Sequence, residues 1–198
     1  FMKNRRIGIL GGTRFIGIHL IQAAIERKLD VSIFNRGVSK PPVKIPADVE
    51  WVRGDRDRPK DLEKFFKQDY DIVFDLSGGK VSQLKEIANN YISKIGHYIF
   101  CSTSAVYQRP MPYPCSENAA RIRTRGTYGG EKSLSEDLLL DFWETQKWPV
   151  TIFRPQAIFG EHDAGAQLQY IFSRLKNGIP LLLGRRSSQK CSMLYVND

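Results

Sequence analysis

Short apolar runs rich in Ile, Val and Phe alternate along the chain with longer segments in which apolar residues recur every three or four positions. The short runs are typical of buried strands, and the longer segments are typical of amphipathic helices. This alternation predicts an α/β fold, a doubly wound parallel sheet with helices on both faces. Strands are predicted at 7–10, 31–35, 50–53, 72–76, 98–102 and 150–154, and helices at 16–27, 60–67, 81–94, 132–145 and 167–176.

Prolines cluster after the second predicted strand and again within 107–125, which predicts two irregular connections. The second connection is long, and long loops inside compact domains usually carry function. It also holds Arg121, Arg123 and Arg125 with no aromatic residue among them. Proteins that bind single-stranded RNA usually have aromatic side chains between the basic ones, on which the bases stack. The pattern here therefore favours a solvated or substrate-facing loop over an RNA site.

The composition limits the partners and the location. The chain has 198 residues and a net charge of +9, which favours an anionic partner such as a dinucleotide, a phosphorylated substrate or nucleic acid. No apolar run approaches the ~20 residues that cross a bilayer, and the N-terminus lacks a signal-peptide layout, so we expect a cytoplasmic protein without a membrane partner. The cysteines and histidines are widely spaced, which indicates neither disulfides nor a metal site: Cys101, Cys115, Cys191, His19, His97 and His162.

A glycine-rich loop, GGTRFIG at residues 11–17, directly follows the first predicted strand. Glycines let the chain turn sharply there and let backbone N–H groups approach a pyrophosphate, which then lies at the positive end of a helix. The first strand-to-helix turn of a doubly wound sheet is where a dinucleotide binds. The predicted cofactor-binding residues of this loop are Gly11, Gly12, Thr13, Arg14, Phe15, Ile16 and Gly17.

Two further motifs carry groups suited to proton transfer. Tyr128 and Lys132 are four residues apart at the start of a predicted helix, so they share one face, and the ammonium can lower the phenol pKa from its ordinary value of ~10. Hydroxyl side chains at 102–104 follow the fifth predicted strand, at the sheet edge that faces a ligand crevice. A hydroxyl there can hydrogen-bond a reacting oxygen.

The glycine loop, the strand-end hydroxyls and the Tyr-Lys helix, in this order, resemble the extended short-chain dehydrogenases/reductases of the NAD-dependent epimerase/dehydratase family. The resemblance covers almost the whole chain. It implies that Tyr128 is the general acid/base, that Lys132 lowers its pKa and holds the nicotinamide ribose, and that Thr103 orients the substrate oxygen. Ser102 and Ser104 are the alternatives to Thr103.

The resemblance also implies a wider cofactor site and a second lobe. In the family a Gly-Asp segment contacts adenine, which corresponds to Asp55 followed by Arg56, and Leu76, Ser77 and Gly78 match a segment that lies along the cofactor. The implied domains are an NAD(P)-binding Rossmann domain at 1–158 and the beginning of a substrate lobe at 159–198, with the remainder absent. A homodimer is compatible with this organisation.

Two residues depart from the family pattern, and one strand end indicates the cofactor. Arg14 replaces the middle glycine of the loop, and Ala157 stands where many nucleotide-sugar epimerases carry asparagine. A site selecting NAD usually has an acid at the end of the second strand, whereas this chain has Asn35 and Arg36. Because an arginine fork suits phosphate, we expect NADP to be favoured over NAD, with Arg14 as a second cation.

Several functions remain open at this point. The leading hypothesis is an NAD(P)-dependent oxidoreductase, epimerase or dehydratase that acts by hydride transfer on a small-molecule substrate, for which a nucleotide sugar is one candidate. A reductase of another carbonyl or alcohol fits the same residues. The alternatives are a catalytically idle nucleotide- or RNA-binding protein on the same fold, with nucleic acid the less favoured partner, and a regulator that senses cofactor redox state without turnover.

Overall fold

A computed structural model describes residues 5–163, 165, 167–181 and 192–198. Its main sheet has six parallel strands in the order β3-β2-β1-β4-β5-β6. The order reverses between β1 and β4, which is the point where a doubly wound sheet opens a crevice at the carboxyl ends of its strands. The strands are β1 Arg6–Leu10, β2 Asp30–Asn35, β3 Glu50–Arg53, β4 Tyr70–Asp75, β5 Ile95–Cys101 and β6 Val150–Phe153.

Helices cover both faces of this sheet, as the alternating pattern predicts. Ile7 and Ile9 of β1 pack on one face with Ile21 of the first helix, whereas Leu10 packs on the opposite face with Leu84 of the third. This division follows from the two-residue period of a strand, which sends successive side chains to opposite faces. The helices are α1 Ile16–Glu26, α2 Pro59–Phe65, α3 Val81–Tyr91, α4 Tyr128–Gln146 and α5 Gln167–Lys176.

Three predicted boundaries are wrong by several residues. α4 begins at Tyr128, because the Thr127 side chain caps the helix by accepting a hydrogen bond from the N–H of Gly130. β5 begins at Ile95, since its register with β4 extends back to Tyr70. The helix predicted at 81–94 ends at Tyr91, and its last turn is a separate 3-10 helix, Ile92–Lys94.

The remaining described segments lie beside the main sheet. Ile158–Phe159 (β7) and Leu194–Tyr195 (β8) form a small parallel pair. The connection at 107–125 is fastened to the strand ends, since Ile122 N donates to Val106 O at 2.7 Å and Gln108 N donates to Ala120 O at 2.9 Å. Among the helices of the described residues, none is long and apolar enough to cross a membrane.

Candidate functional site

The glycine loop forms a tight cradle between β1 and α1. Gly11 and Gly12 adopt φ angles of 112° and 94°, a backbone region that side-chain-bearing residues rarely enter. A Cβ on Gly17 would lie 2.3 Å from the Cα of Gly12, so the helix can approach the loop this closely only with glycine. The loop therefore needs all three glycines, and Arg14, at the place of the family's middle glycine, keeps a negative φ.

The N-terminus of α1 has no side-chain cap, although Gly17 N and Ile18 N donate to Arg14 O and Phe15 O, each at 3.0 Å. Its first flanking residue, Phe15, has a φ of 38° and makes no side-chain capping bond. The unpaired N–H groups at a helix start favour an anion. The start of α1 borders a cavity of about 260 Å³ lined by the loop, Leu76 and Ser77. The cradle and the uncapped helix together fit a pyrophosphate group.

A second cleft of about 390 Å³ continues from this cavity across the ends of β2 and β3. The two share Thr13, Arg14 and Ser77. Arg14 and Arg36 line the cleft and are exposed, and neither guanidinium has a hydrogen-bond or ion-pair partner among the residues that the structure describes. Asp55 and Arg56 line the same cleft, so the predicted adenosine-side residues meet in one place.

Asn35 has a structural role that the sequence did not indicate. Its Nδ2 donates to Gly11 O at 3.0 Å, while its Oδ1 accepts from Gly37 N at 2.8 Å and from the Trp51 indole at 3.3 Å. The amide thus ties the glycine loop to the turn that carries Arg36. Because its amide bonds to protein groups through both Nδ2 and Oδ1, Asn35 frames the cleft.

Arg56 is paired with the buried carboxylate of Asp75, which the sequence did not indicate as part of the site. Its Nη1 and Nη2 each lie 2.9 Å from one oxygen of Asp75, and Nη1 also donates to Ser77 Oγ at 3.0 Å. Asp75 accepts further hydrogen bonds from Ser77 N, Gly78 N and the Tyr98 hydroxyl. Burial alone would raise the Asp75 pKa, but Arg56 holds it well below its usual range. The only signal in the sequence was an acid at the end of a strand.

Two of the predicted reacting residues, Thr103 and Lys132, lie at the carboxyl end of β5. Thr103 Oγ1 accepts a hydrogen bond from Ala105 N at 3.2 Å, which leaves its own proton to donate. Lys132 is buried, donates to Cys101 O at 2.5 Å and lies over the Phe100 ring, 4.5 Å from its centroid. Burial lowers the Lys132 pKa. Tyr128, on the first turn of the same helix, exposes 63% of its surface.

The two glycines between Tyr128 and Lys132 explain how this helix reaches the strand end. A Cβ on Gly129 would lie 2.2 Å from Ala105 O, and a Cβ on Gly130 would lie 1.9 Å from Thr124 O. Only glycine permits this approach, so the first turn of α4 packs directly on the 3-10 helix Ser104–Val106 that follows Thr103. The local sequence thus joins the two halves of the predicted reacting constellation.

Ser102 and the arginines of the long connection have structural partners. Ser102 donates to Glu136 of α4, whose carboxylate is completely buried. Glu136 also accepts from Arg121 Nη1 at 2.5 Å and from Arg154 Nη2 at 2.8 Å. The prediction of a solvated or substrate-facing loop is therefore wrong for Arg121, because α4 supplies buried carboxylate partners. Ser102, an alternative to Thr103, is engaged in the same network.

A model of the NAD dependent epimerase/dehydratase family matches residues 7–198. The chain belongs to this family. The UDP-glucose 4-epimerase of Thermotoga maritima, solved with UDP-glucose, superimposes with a TM-score of 0.82 at 19% identity, over 97% of this chain and 70% of that one. At this identity the likeness shows a common fold, so the predicted doubly wound architecture of an extended epimerase is confirmed.

Two curated relatives of the family member differ in what they are named for. The chloroplast stem-loop binding protein of 41 kDa b from Arabidopsis thaliana is 28% identical over 213 residues, and the match covers 99% of this chain and 53% of that protein. The UDP-N-acetyl-alpha-D-glucosaminuronate decarboxylase of Bacillus cytotoxicus is 29% identical over 226 residues, covering 100% of this chain and 69% of that protein. The chain thus spans about half the length of the Arabidopsis relative.

The fold also brings together residues that the sequence separates. The rings of His19 and His162 lie 5.8 Å apart, and His19 Nε2 is 3.0 Å from Glu161 O, although these residues are far apart along the chain. Within the described ranges, no group of three or more His, Cys, Asp or Glu side chains is arranged to hold a metal ion. Cys101 and Cys115 are free thiols, and Cys191 lies outside the described residues.

Proposed function

We propose that this family member binds a nicotinamide dinucleotide and transfers hydride between its ring and a substrate carbon, with Tyr128 moving the matching proton. The observation that carries the proposal is the close packing of Gly129 on Ala105 O, which joins the first turn of α4, where Tyr128 lies, to the segment that follows Thr103. The family is NAD dependent, and the cradle and uncapped helix suit a dinucleotide pyrophosphate.

Each of the three residues has a distinct part in the proposed reaction. Thr103 donates a hydrogen bond from its hydroxyl to the substrate oxygen and so fixes its position. Tyr128 gives or takes a proton at that oxygen through its phenol Oη. Lys132, held by Cys101 O, contributes a positive charge on the same helix face, which favours the phenolate. The nicotinamide supplies the hydride acceptor or donor when it is bound.

A nucleotide sugar is the proposed substrate class. The Bacillus cytotoxicus and Thermotoga maritima proteins are named for such substrates, and the family covers epimerases and dehydratases. We propose that residues 1–158 carry the cofactor and that 159–198 begin the region that binds the sugar nucleotide. Ala157, in place of the asparagine of many epimerases, predicts that the sugar contact differs from theirs.

NADP is the proposed preferred cofactor. Asn35 has a neutral amide in place of the carboxylate that would bind a ribose 2′-OH, and this amide is bonded to Gly11, Gly37 and Trp51. Arg14 and Arg36 instead present two cations to the cleft without partners among the described residues. Guanidinium groups pair strongly with phosphate, so a 2′-phosphate would satisfy both.

Replacing Tyr128 by Phe tests the proposed chemistry. The change removes the transferred proton and little binding surface, so turnover of a UDP-sugar panel should fall to the detection limit while NADPH affinity stays within a few fold. NADPH fluorescence titration and product analysis measure the two quantities. As a control, Tyr113→Phe alters an exposed tyrosine of the long connection and should leave both unchanged. Parental turnover by Tyr128→Phe would refute the acid/base assignment.

A second candidate function is a binding protein that does not turn over. It is favoured by the match to the Arabidopsis stem-loop binding protein over 99% of this chain and by the net charge of +9. Under this function, stem-loop RNA would bind with a dissociation constant that is the same for the parent and Tyr128→Phe, and no UDP-sugar would be converted. Detectable turnover by the parent excludes a purely idle role.

A further inference from the structure

The ion pair between Arg56 and Asp75 is almost completely buried, and the proposed hydride transfer does not require this burial. Asp75 has no exposed surface, and the Arg56 side chain exposes only 10%. Enclosing two charges carries a desolvation penalty that their attraction often only balances. Moreover, the Nε–H of Arg56 is buried without a hydrogen-bond partner in the described part of the chain. A group held at such a cost has a role other than stability alone.

The surroundings of the pair indicate that role. Arg56 lines the cleft together with Asp55 and Ser77, and the turn of Arg36 and Gly37 lines the same cleft. Its two Nη atoms each lie 2.9 Å from one oxygen of Asp75, so the guanidinium plane is fixed by a bidentate contact. The Asp75 carboxylate therefore fixes the position of the Arg56 guanidinium at the cleft.

Asp75 also folds the segment that follows β4. Its Oδ1 accepts from Ser77 N at 3.0 Å and from Gly78 N at 2.7 Å. A Cβ on Gly78 would lie 2.6 Å from Asp75 Oδ2, so glycine is required for the chain to wrap this tightly around the carboxylate. One side chain thus fixes both the Arg56 guanidinium and the turn at Ser77, which borders both cavities.

We propose that Asp75 is a positioning residue for the adenosine half of the cofactor, acting through Arg56 and the Ser77–Gly78 turn. This inference rests on the proposed dinucleotide site. Asp75 touches no ligand itself; it aligns the wall against which the adenosine packs. Its effect is therefore independent of the 2′-phosphate, whereas the effect of Arg36 depends on that phosphate.

Two variants and two adenosine ligands test this role by isothermal titration. Asp75→Asn leaves the Arg56 charge unbalanced, and Arg56→Lys keeps the charge but cannot make two parallel bonds. Both variants should bind AMP and 2′,5′-ADP at least tenfold more weakly than the parent, with equal losses for the two ligands. If Asp75→Asn fails to fold, Arg56→Lys, which retains a balanced pair, carries the test.

Glu136→Gln is the matched control for general destabilisation. Glu136 is as buried as Asp75 and is also paired with arginine, but its partners lie outside the cleft. Glu136→Gln should lower the midpoint of urea unfolding, yet leave the affinities for AMP and 2′,5′-ADP within threefold of those of the parent. Parental affinities in Asp75→Asn and Arg56→Lys would overturn the positioning role alone. A parent that binds neither AMP, 2′,5′-ADP nor NADPH would instead overturn the proposed dinucleotide site itself.

Discussion

Two groups of arginines in this molecule have opposite surroundings. At the cofactor cleft, Arg14 and Arg36 are exposed and lack partners among the described residues. Beside α4, Arg121 and Arg154 expose only 13% and 16% of their side chains and share the buried carboxylate of Glu136. The residue type is the same, but Arg14 and Arg36 line a cleft, whereas Arg121 and Arg154 are paired with a carboxylate of the protein.

The difference shows how a basic sequence should be interpreted. Cations spaced by two residues make 121–125 the most densely basic run of the chain. Density alone has no bearing on function when carboxylates from a distant helix neutralise the run, as Asp137 and Glu136 do for Arg121. An arginine whose charge the protein leaves unbalanced beside a cleft is the better indicator of an anionic ligand.

The largest expected effect is the loss of Glu136. In Glu136→Gln the side-chain shape is kept, but Arg154 then faces a neutral amide and Arg121 keeps only its pair with Asp137. Removing one member of a buried ion pair typically costs about 3–5 kcal/mol, and we expect a loss in this range from the free energy of unfolding. Urea denaturation followed by circular dichroism measures it.

Asp137→Asn provides the comparison for that measurement. Asp137 is the next residue on the helix and also pairs with Arg121, at 2.5 Å, but 33% of its side chain is exposed. Solvent screens such a pair, so the loss should be about 1 kcal/mol or less. Equal losses of unfolding free energy in the two variants would mean that burial does not make the Glu136 ion pairs more important for stability than those of Asp137.

The next largest effect concerns Arg36 and appears in binding rather than in stability. Arg36→Ala removes an exposed cation without a hydrogen-bond or ion-pair partner among the described residues, so the free energy of unfolding should change by less than ~0.5 kcal/mol. Contacts with a charged group are worth about 1.5–3 kcal/mol, so NADPH should bind roughly tenfold or more weakly while NADH affinity is nearly unchanged.

Fluorescence titration of both reduced cofactors, with parent and variant, decides this point. Arg121→Ala is the opposite control, because it should lower stability and leave the preference between the cofactors as it is in the parent. Equal or tighter binding of NADH by the parent would rule out NADP preference, and an equal loss for both cofactors would assign Arg36 to the adenine or pyrophosphate instead.

The sequence predicts the fold well because the fold depends on local periodicity. The order of strands and helices, the glycine loop at Gly11 and the motif at Tyr128 can all be identified from neighbouring residues. Glu136 and Asp75 could not be found this way, because their arginine partners are not neighbours in the chain: Arg154 lies 18 positions from Glu136, and Arg56 lies 19 from Asp75.

α4 illustrates why the burial of a polar helix face does not follow from the sequence. A helix with charges on one side is normally solvated there, yet the buried positions of α4 include Lys132, Ser133 and Glu136. The long connection covers that side and brings its own arginines to it. Whether a polar face meets water or protein depends on the path of a distant loop, and periodicity contains no information about that path.

The smallest expected effect separates two arginines that share one carboxylate. Arg123 Nε lies 2.8 Å from Asp137 Oδ2, but 61% of the Arg123 side chain is exposed, whereas Arg121 exposes 13%. Holding a long exposed side chain in one geometry offsets most of its Coulomb gain, so Arg123→Ala should lower the free energy of unfolding by only about 0.2–1 kcal/mol. That loss should shrink further in molar salt, which screens exposed pairs within a few ångströms. Urea denaturation of Arg121→Ala and Arg123→Ala at low and high salt makes the comparison, and a loss for Arg123→Ala as large as that for Arg121→Ala would show that solvent exposure does not distinguish the paired arginines.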